Sequence, residues 1–293
     1  MTSLPFPRVM VYVPGSDPAK LQKSRDFNVD AVILDLEDSV APLAKASARV
    51  ECARELAHTK AYGQRWVRVN DLAGEGWLAD VTAVVGPGLD GIIVPKTEDA
   101  RRLEELDAAL LELERDRELA TRSIPLLATI ETPVGLDNLR SITRATPRLR
   151  CLGFGAGDFS RVVGVEFPAT SGGALTLLDR VRTDIVLASS LGALEKPHDG
   201  VFGDFRDLAL LSQEATRVRQ MGFGGKHAIH PLQLPMLMEC FAPRVDEVDR
   251  ARKIVTAYES SIANGQGATS VDGHLVDKAT FERALEIVRY AQR

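Results

Sequence analysis

Cysteine is scarce in this chain. Only Cys52, Cys151 and Cys240 occur among 293 residues, at spacings that match no metal-ligand pattern. An odd, sparse set argues against a disulfide framework and for reduced packing thiols in a cytoplasmic protein. Long apolar runs are missing as well. The opening stretch MTSLPFPRVMVYVPG has no uninterrupted run suited to a signal peptide, and no segment approaches the ~20 apolar residues of a membrane span. Nor is there a large excess of one charge. A formal net charge of -5 gives no general attraction to nucleic acid or to an anionic membrane, so any ligand-gripping cluster has to be local. The chain also has no P-loop, no GxGxxG after a strand, no GxSxG elbow and no Cys/His metal cluster. These gaps argue against kinase, dehydrogenase, serine hydrolase and zinc-enzyme chemistry.

What is present is ordinary core material, with 45% hydrophobic and 26% charged residues, organised in a recurrent pattern. Short apolar runs alternate with segments of helical periodicity, the signature of βα units and a parallel sheet. The runs are Val9 to Val13, Ala31 to Leu36, Trp66 to Val69, Gly91 to Val94, Leu126 to Ile130, Cys151 to Gly155, a weak one near Leu191 to Lys196, and Lys226 to Ile229. Eight units in about 240 residues predict a TIM (β/α)8 barrel rather than an open sheet. Helices are expected over 44–57, 100–119 and 208–221, and the charge run EELDAALLELERDRE reads as a solvated face. A soft boundary near Phe241 separates a barrel catalytic domain, 1–241, from a C-terminal helical extension, 242–293.

In such a barrel the residues that follow each strand converge on one mouth. That filter returns Tyr12 and Pro14, then Asp35, Glu37 and Asp38, then Arg68 and Asn70, Lys96, Glu131 and Thr132, Asp158, and His230. Glu131 and Asp158 end neighbouring strands. Two carboxylates there suit Mg2+, which takes one or two protein acids and completes its octahedron with water and substrate oxygens. The same residues would equally cap the helices that follow, and spacing does not separate the two readings. Arg68, alone in the apolar strand WVRV, is expected to face the acids of DLEDSV or a substrate. Lys20 and Lys23 could grip the phosphates of a nucleotide-containing thioester carrier, or be solvated surface lysines.

Taken together, RVMVYVPGSDPAKLQKS, AVILDLEDSVAP, WVRVND, GIIVPKTE, IETPVG, FGAGDFS, GFGGKHAIHP and the tail HLVD resemble the citrate lyase beta-subunit-like family of the HpcH/HpaI aldolase superfamily. The likeness runs from Arg8 to Asp277 and implies a homotrimer or hexamer whose C-terminal segment covers a neighbour's site. It implies Mg2+, or Mn2+, on Glu131 and Asp158, Arg68 on the substrate, and coenzyme A near Tyr12, Lys20 and Lys23. It also implies acid/base work for Asp277, a residue whose position alone would make it a helix cap. The activity implied is cleavage or formation of a 3-hydroxyacyl-CoA such as malyl-CoA or citramalyl-CoA. Two alternatives stand beside it, a 2-keto acid aldolase without coenzyme A and a beta subunit or acyl-CoA-binding paralogue of a citrate lyase complex. Three departures bear on these expectations: LVDKA replaces the usual MIDxP, GAGD replaces GAED, and Pro133 stands where a small residue is common.

Overall fold

The computed structural model describes residues 6–59 and 63–291; the first five residues of the N-terminal stretch considered above lie outside it. Eight parallel strands close into a barrel in the order β1 to β8. They are β1 (Val9–Pro14), β2 (Ala31–Asp35), β3 (Gln64–Arg68), β4 (Gly91–Val94), β5 (Leu126–Ile130), β6 (Leu149–Phe154), β7 (His198–Asp199) and β8 (Gly225–Ala228). β2, β4 and β5 are buried along their whole length, which is why they read as continuous apolar runs. Met10, Ile33, Trp66, Ile93, Leu127 and Cys151 form a single core cluster, with Phe6 and Tyr12 packed on it. Gly91 is needed there: a Cβ on it would lie 2.5 Å from the Trp66 ring.

Two sequence expectations need correction. The seventh strand is not Leu191 to Lys196. Leu191 ends the helix Gly172–Leu191, and β7 is the polar pair His198–Asp199. Asp199 is buried because the Arg182 guanidinium (2.9 Å) and the Lys226 ammonium compensate its charge, so hydrophobicity carries no trace of the strand. Nor is EELDAALLELERDRE wholly solvated. On the helix Ala100–Asp116, Asp107 and Glu114 turn inward and grip Arg148 at the base of β6, with both Arg148–Glu114 bonds at 2.7 Å. The Arg148 side chain has no exposed surface, so Arg148→Met should strand two buried acids and lower unfolding free energy by about 3–5 kcal/mol in chemical denaturation.

The chain divides into two compact units, one over 6–240 and one over 241–291. The second consists of the helix Val245–Ala263, a hairpin of β9 (Thr269–Val271) and β10 (His274–Val276), and the helix Lys278–Ala291. Asp272 and Gly273 at the hairpin tip both have positive φ (51° and 77°), the backbone that an Asp-Gly pair favours in a two-residue turn. Tyr258 stacks on Phe281 at 4.7 Å and joins the two helices. Among the described residues no helix is long and apolar enough to cross a membrane.

Candidate active site

Register places the first half of the site. Asp35 ends β2 directly beside Arg68 at the end of β3, so the two side chains share a face. Arg68 Nε and Nη2 each donate to one Asp35 oxygen at 2.7 Å, and its Nη1 lies 3.2 Å from Glu37. This fork-to-fork geometry is the strong form of an ion pair. Burial works against the Asp35 charge, yet the Arg68 guanidinium and Ser39 still hold its carboxyl below the usual range. Burial raises Glu37 above its usual value, against the pull of Arg68. Lys96, just past β4, reaches Glu37 and sits 3.4 Å from Asp38. It does so from a left-handed backbone, φ 46°, a conformation costly for a lysine and concentrated at functional sites.

Glu131 follows β5 and is 5% exposed. Burial pushes its carboxyl up to about 8, Arg68 opposes this, and the charge of Asp158 reinforces it. The Lys96 backbone N–H donates to it, but among the described residues no cationic side chain lies within ion-pair distance. Asp158 stands in the first turn of the helix Ala156–Val163, which follows β6, and pairs with exposed Arg161 at 3.1 Å. The capping alternative fails for Glu131, because the helix after β5 is capped by Thr132, whose hydroxyl accepts from the Gly135 N–H. Gly155 lies between the acids. Its N–H donates to Ile130, and a Cβ on it would come within 2.4 Å of Glu131 Cγ, so only glycine lets the β6 end pass this close.

The other expected residues fall in different places. Tyr12 points into the barrel, with the Arg68 guanidinium 4.6 Å over its ring. Lys20 and Lys23 are exposed on the helix Pro18–Ser24, Lys20 bridged to Asp17 at 3.3 Å. Tyr12 therefore packs against Arg68. His230 stacks on Phe205 at 4.4 Å and accepts from the Leu232 N–H, a positioning role. Asp277, in the second unit, accepts from the Thr280 N–H (2.9 Å) and hydroxyl (2.8 Å), and these bonds hold its carboxyl below the usual range. Sequence reasoning gave no role to Lys96, although it sits where a strand end should, and none to His198 and His227.

Among the described residues no three or more His, Cys, Asp or Glu side chains are grouped to surround a metal. Glu131, buried and with no cationic side chain at ion-pair distance among the described residues, and Asp158, whose charge it feels, offer only oxygen donors. That suits a hard ion which keeps most of its water. A pocket of about 440 Å3 opens along Glu37, Asp38, Lys45, Arg49, Asn70 and Glu75. Its cations are committed, Lys45 to the Leu36 and Glu37 carbonyls and Arg49 to Asp80.

Known proteins resemble this chain along nearly its whole length. The citrate lyase subunit beta of Escherichia coli K12 is 34% identical over 286 residues, spanning 97% of this chain and 93% of that protein. The L-malyl-CoA/beta-methylmalyl-CoA lyase of Cereibacter sphaeroides ATCC 17025 is 35% identical, covering 97% and 94%. Among solved structures, CitE of Mycobacterium tuberculosis in complex with magnesium, acetoacetate and coenzyme A superimposes with a TM-score of 0.77 at 25% identity, covering 98% of each chain. Residues 8–231 match the family described as HpcH/HpaI aldolase/citrate lyase, and the chain belongs to that family.

Proposed function

We propose that the chain is a divalent-metal-dependent carbon–carbon lyase. It cleaves, or in reverse forms, a 3-hydroxyacyl-CoA of the malyl-CoA or citramalyl-CoA type, giving acetyl-CoA or a homologue and a 2-keto acid. The observation that carries this reading is Glu131, a carboxyl buried at the barrel mouth that feels the charge of Asp158 and has, among the described residues, no cationic side chain at ion-pair distance. The substrate class rests on the malyl-CoA lyase relative and on the magnesium and coenzyme A of the structural neighbour. Glu131 and Asp158 would hold Mg2+ or Mn2+, which when bound supplies Lewis acidity toward the oxygens of the acid half. Arg68, locked by Asp35 and Glu37, turns its remaining N–H donors to the thioester oxygen, where negative charge grows as the bond breaks. Lys20 and Lys23 offer charge to the carrier's phosphates. Asp277 acts as the base from a neighbouring copy in a trimer or hexamer, and the residues after 241 cover that neighbour's site. The free thiols of Cys52, Cys151 and Cys240 suit the reducing cytoplasm.

The decisive assay offers citramalyl-CoA, malyl-CoA, hydroxymethylglutaryl-CoA and citryl-CoA to the purified protein, with and without Mg2+. Metal-dependent release of a 2-keto acid from one of them is expected; full activity in chelator would refute the scheme. The equal likeness to a citrate lyase beta subunit favours a second reading, a subunit that works only inside a complex. Cleavage of a coenzyme A thioester by the protein alone dismisses it. Gly155→Ala should push the Glu131 carboxylate out of place and lower turnover about 10²-fold, since displacements of about 1 Å carry that cost. The Mg2+ dependence of the rate checks this.

A further inference from the structure

Beneath Arg68 the barrel interior holds two histidines that the proposed chemistry does not use. His198 on β7 and His227 on β8 are 1% and 3% exposed. Their rings meet edge to face, with His198 Nδ1 3.3 Å from His227 Nε2, and His227 Nδ1 lies 3.4 Å from the Tyr12 hydroxyl. Tyr12 in turn carries the Arg68 guanidinium on its ring face. A continuous line of contacts thus joins the barrel floor to the cation at the mouth.

The protons in this line can be assigned in order. The Pro7 backbone also favours a proton on His198, and proline has no N–H, so the group acting on the ring is the Pro7 carbonyl and the imidazole nitrogen turned to it carries the proton. Nδ1 of His198 already faces His227, so the donor to Pro7 is Nε2. Burial keeps both rings neutral, pushing His198 down to about 4 and His227 well below its usual value. A neutral ring has one proton. His198 Nδ1 is therefore bare and accepts from His227 Nε2–H. That leaves His227 Nδ1 bare, and the Tyr12 hydroxyl donates downward to it. Tyr12 keeps no proton for the mouth; it presents Arg68 with ring face and oxygen lone pairs.

We propose that His227, oriented by His198, is a positioning residue: it binds the Tyr12 hydroxyl proton and so holds the tyrosine ring beneath Arg68, where the ring braces the guanidinium against Asp35. The idea that this matters to turnover rests on the role given to Arg68 above; the hydrogen-bond line does not. Two variants separate the possibilities. His227→Leu removes the acceptor, whereas His227→Asn places an amide oxygen near the former Nδ1. Nitrogen-15 NMR of histidine-labelled wild type should show His227 bare at Nδ1 and protonated at Nε2, and His198 the same. Hydrogen exchange of the Arg68 Nε–H should accelerate about tenfold in His227→Leu and stay near wild type in His227→Asn, the scale of one hydrogen bond. With a cleaved thioester in hand, kcat should fall about tenfold in His227→Leu with KM little changed, and recover in His227→Asn. A proton on His227 Nδ1, or Arg68 exchange that is unchanged in His227→Leu or equally fast in both variants, would overturn the proposal. The two magnetic resonance readouts need no substrate, so they judge it even if every thioester fails.

Discussion

Replacing Glu131 by glutamine should cut metal-dependent turnover by roughly 10³-fold or more, the scale of losing a principal electrostatic group, while leaving the barrel folded. Its effect on stability should be opposite in sign to that of an ordinary core mutation. The Glu131 carboxyl titrates near 8 in the folded chain against 4.5 for a free glutamate. Between those values the folded state holds a proton that the unfolded state has released, so metal-free stability falls as pH rises through the window and is constant on either side. Burial is the largest cause, with the Asp158 charge adding to it and Arg68 opposing it. Glutamine carries no such proton, so the variant's stability should not fall through this window. Urea unfolding in chelator at about pH 4.5 and about pH 9 checks this, with the variant gaining on the wild type at the higher pH. A divalent cation needs the ionised acid, so below about pH 8 its apparent affinity should weaken about tenfold per unit.

Arg68→Ala should lower kcat by about 10²- to 10³-fold and destabilise the fold by about 3–5 kcal/mol, because one guanidinium serves the reaction and compensates buried acids. Asp35 has no exposure and Glu37 is 6% exposed, so neither can turn to water for compensation. The two roles separate in a double variant. Arg68→Met with Asp35→Leu removes the charge and its main partner together, which buried pairs often tolerate. Stability should then recover most of the loss while turnover stays low. Arg68→Lys should fall between, since an ammonium cannot bridge both Asp35 oxygens as the fork does. Chemical denaturation and initial rates on the same preparations check all three.

Most strands were legible because they are buried on both faces and therefore read as unbroken apolar runs. β7 was not, because its two residues are polar and its burial is compensated by charges on β8 and on the helix Gly172–Leu191. The same physics hid Asp107 and Glu114: helical spacing shows which residues share a face, but not that Arg148 waits opposite. Within the site, the pairing of Arg68 with the DLED acids was readable, since a lone arginine in an apolar strand needs a partner. The contact of Gly155 with Glu131 and the left-handed backbone of Lys96 depend on how adjacent strand ends approach each other, which no single segment encodes. The tail hairpin did leave a local sign, the Asp-Gly pair at 272 and 273, which sequence reading passed over.

The proposed lyase chemistry requires Glu131 and Asp158 to hold one divalent ion between them. Titration of the metal-free protein with Mn2+, followed by electron paramagnetic resonance of the free ion, measures this directly. One site per chain in the wild type is the expected result, lost in Glu131→Ala and lost again in Asp158→Ala while both variants keep their fold. Undiminished binding in either variant would mean that the ion sits elsewhere, and the proposed chemistry would lose its foundation.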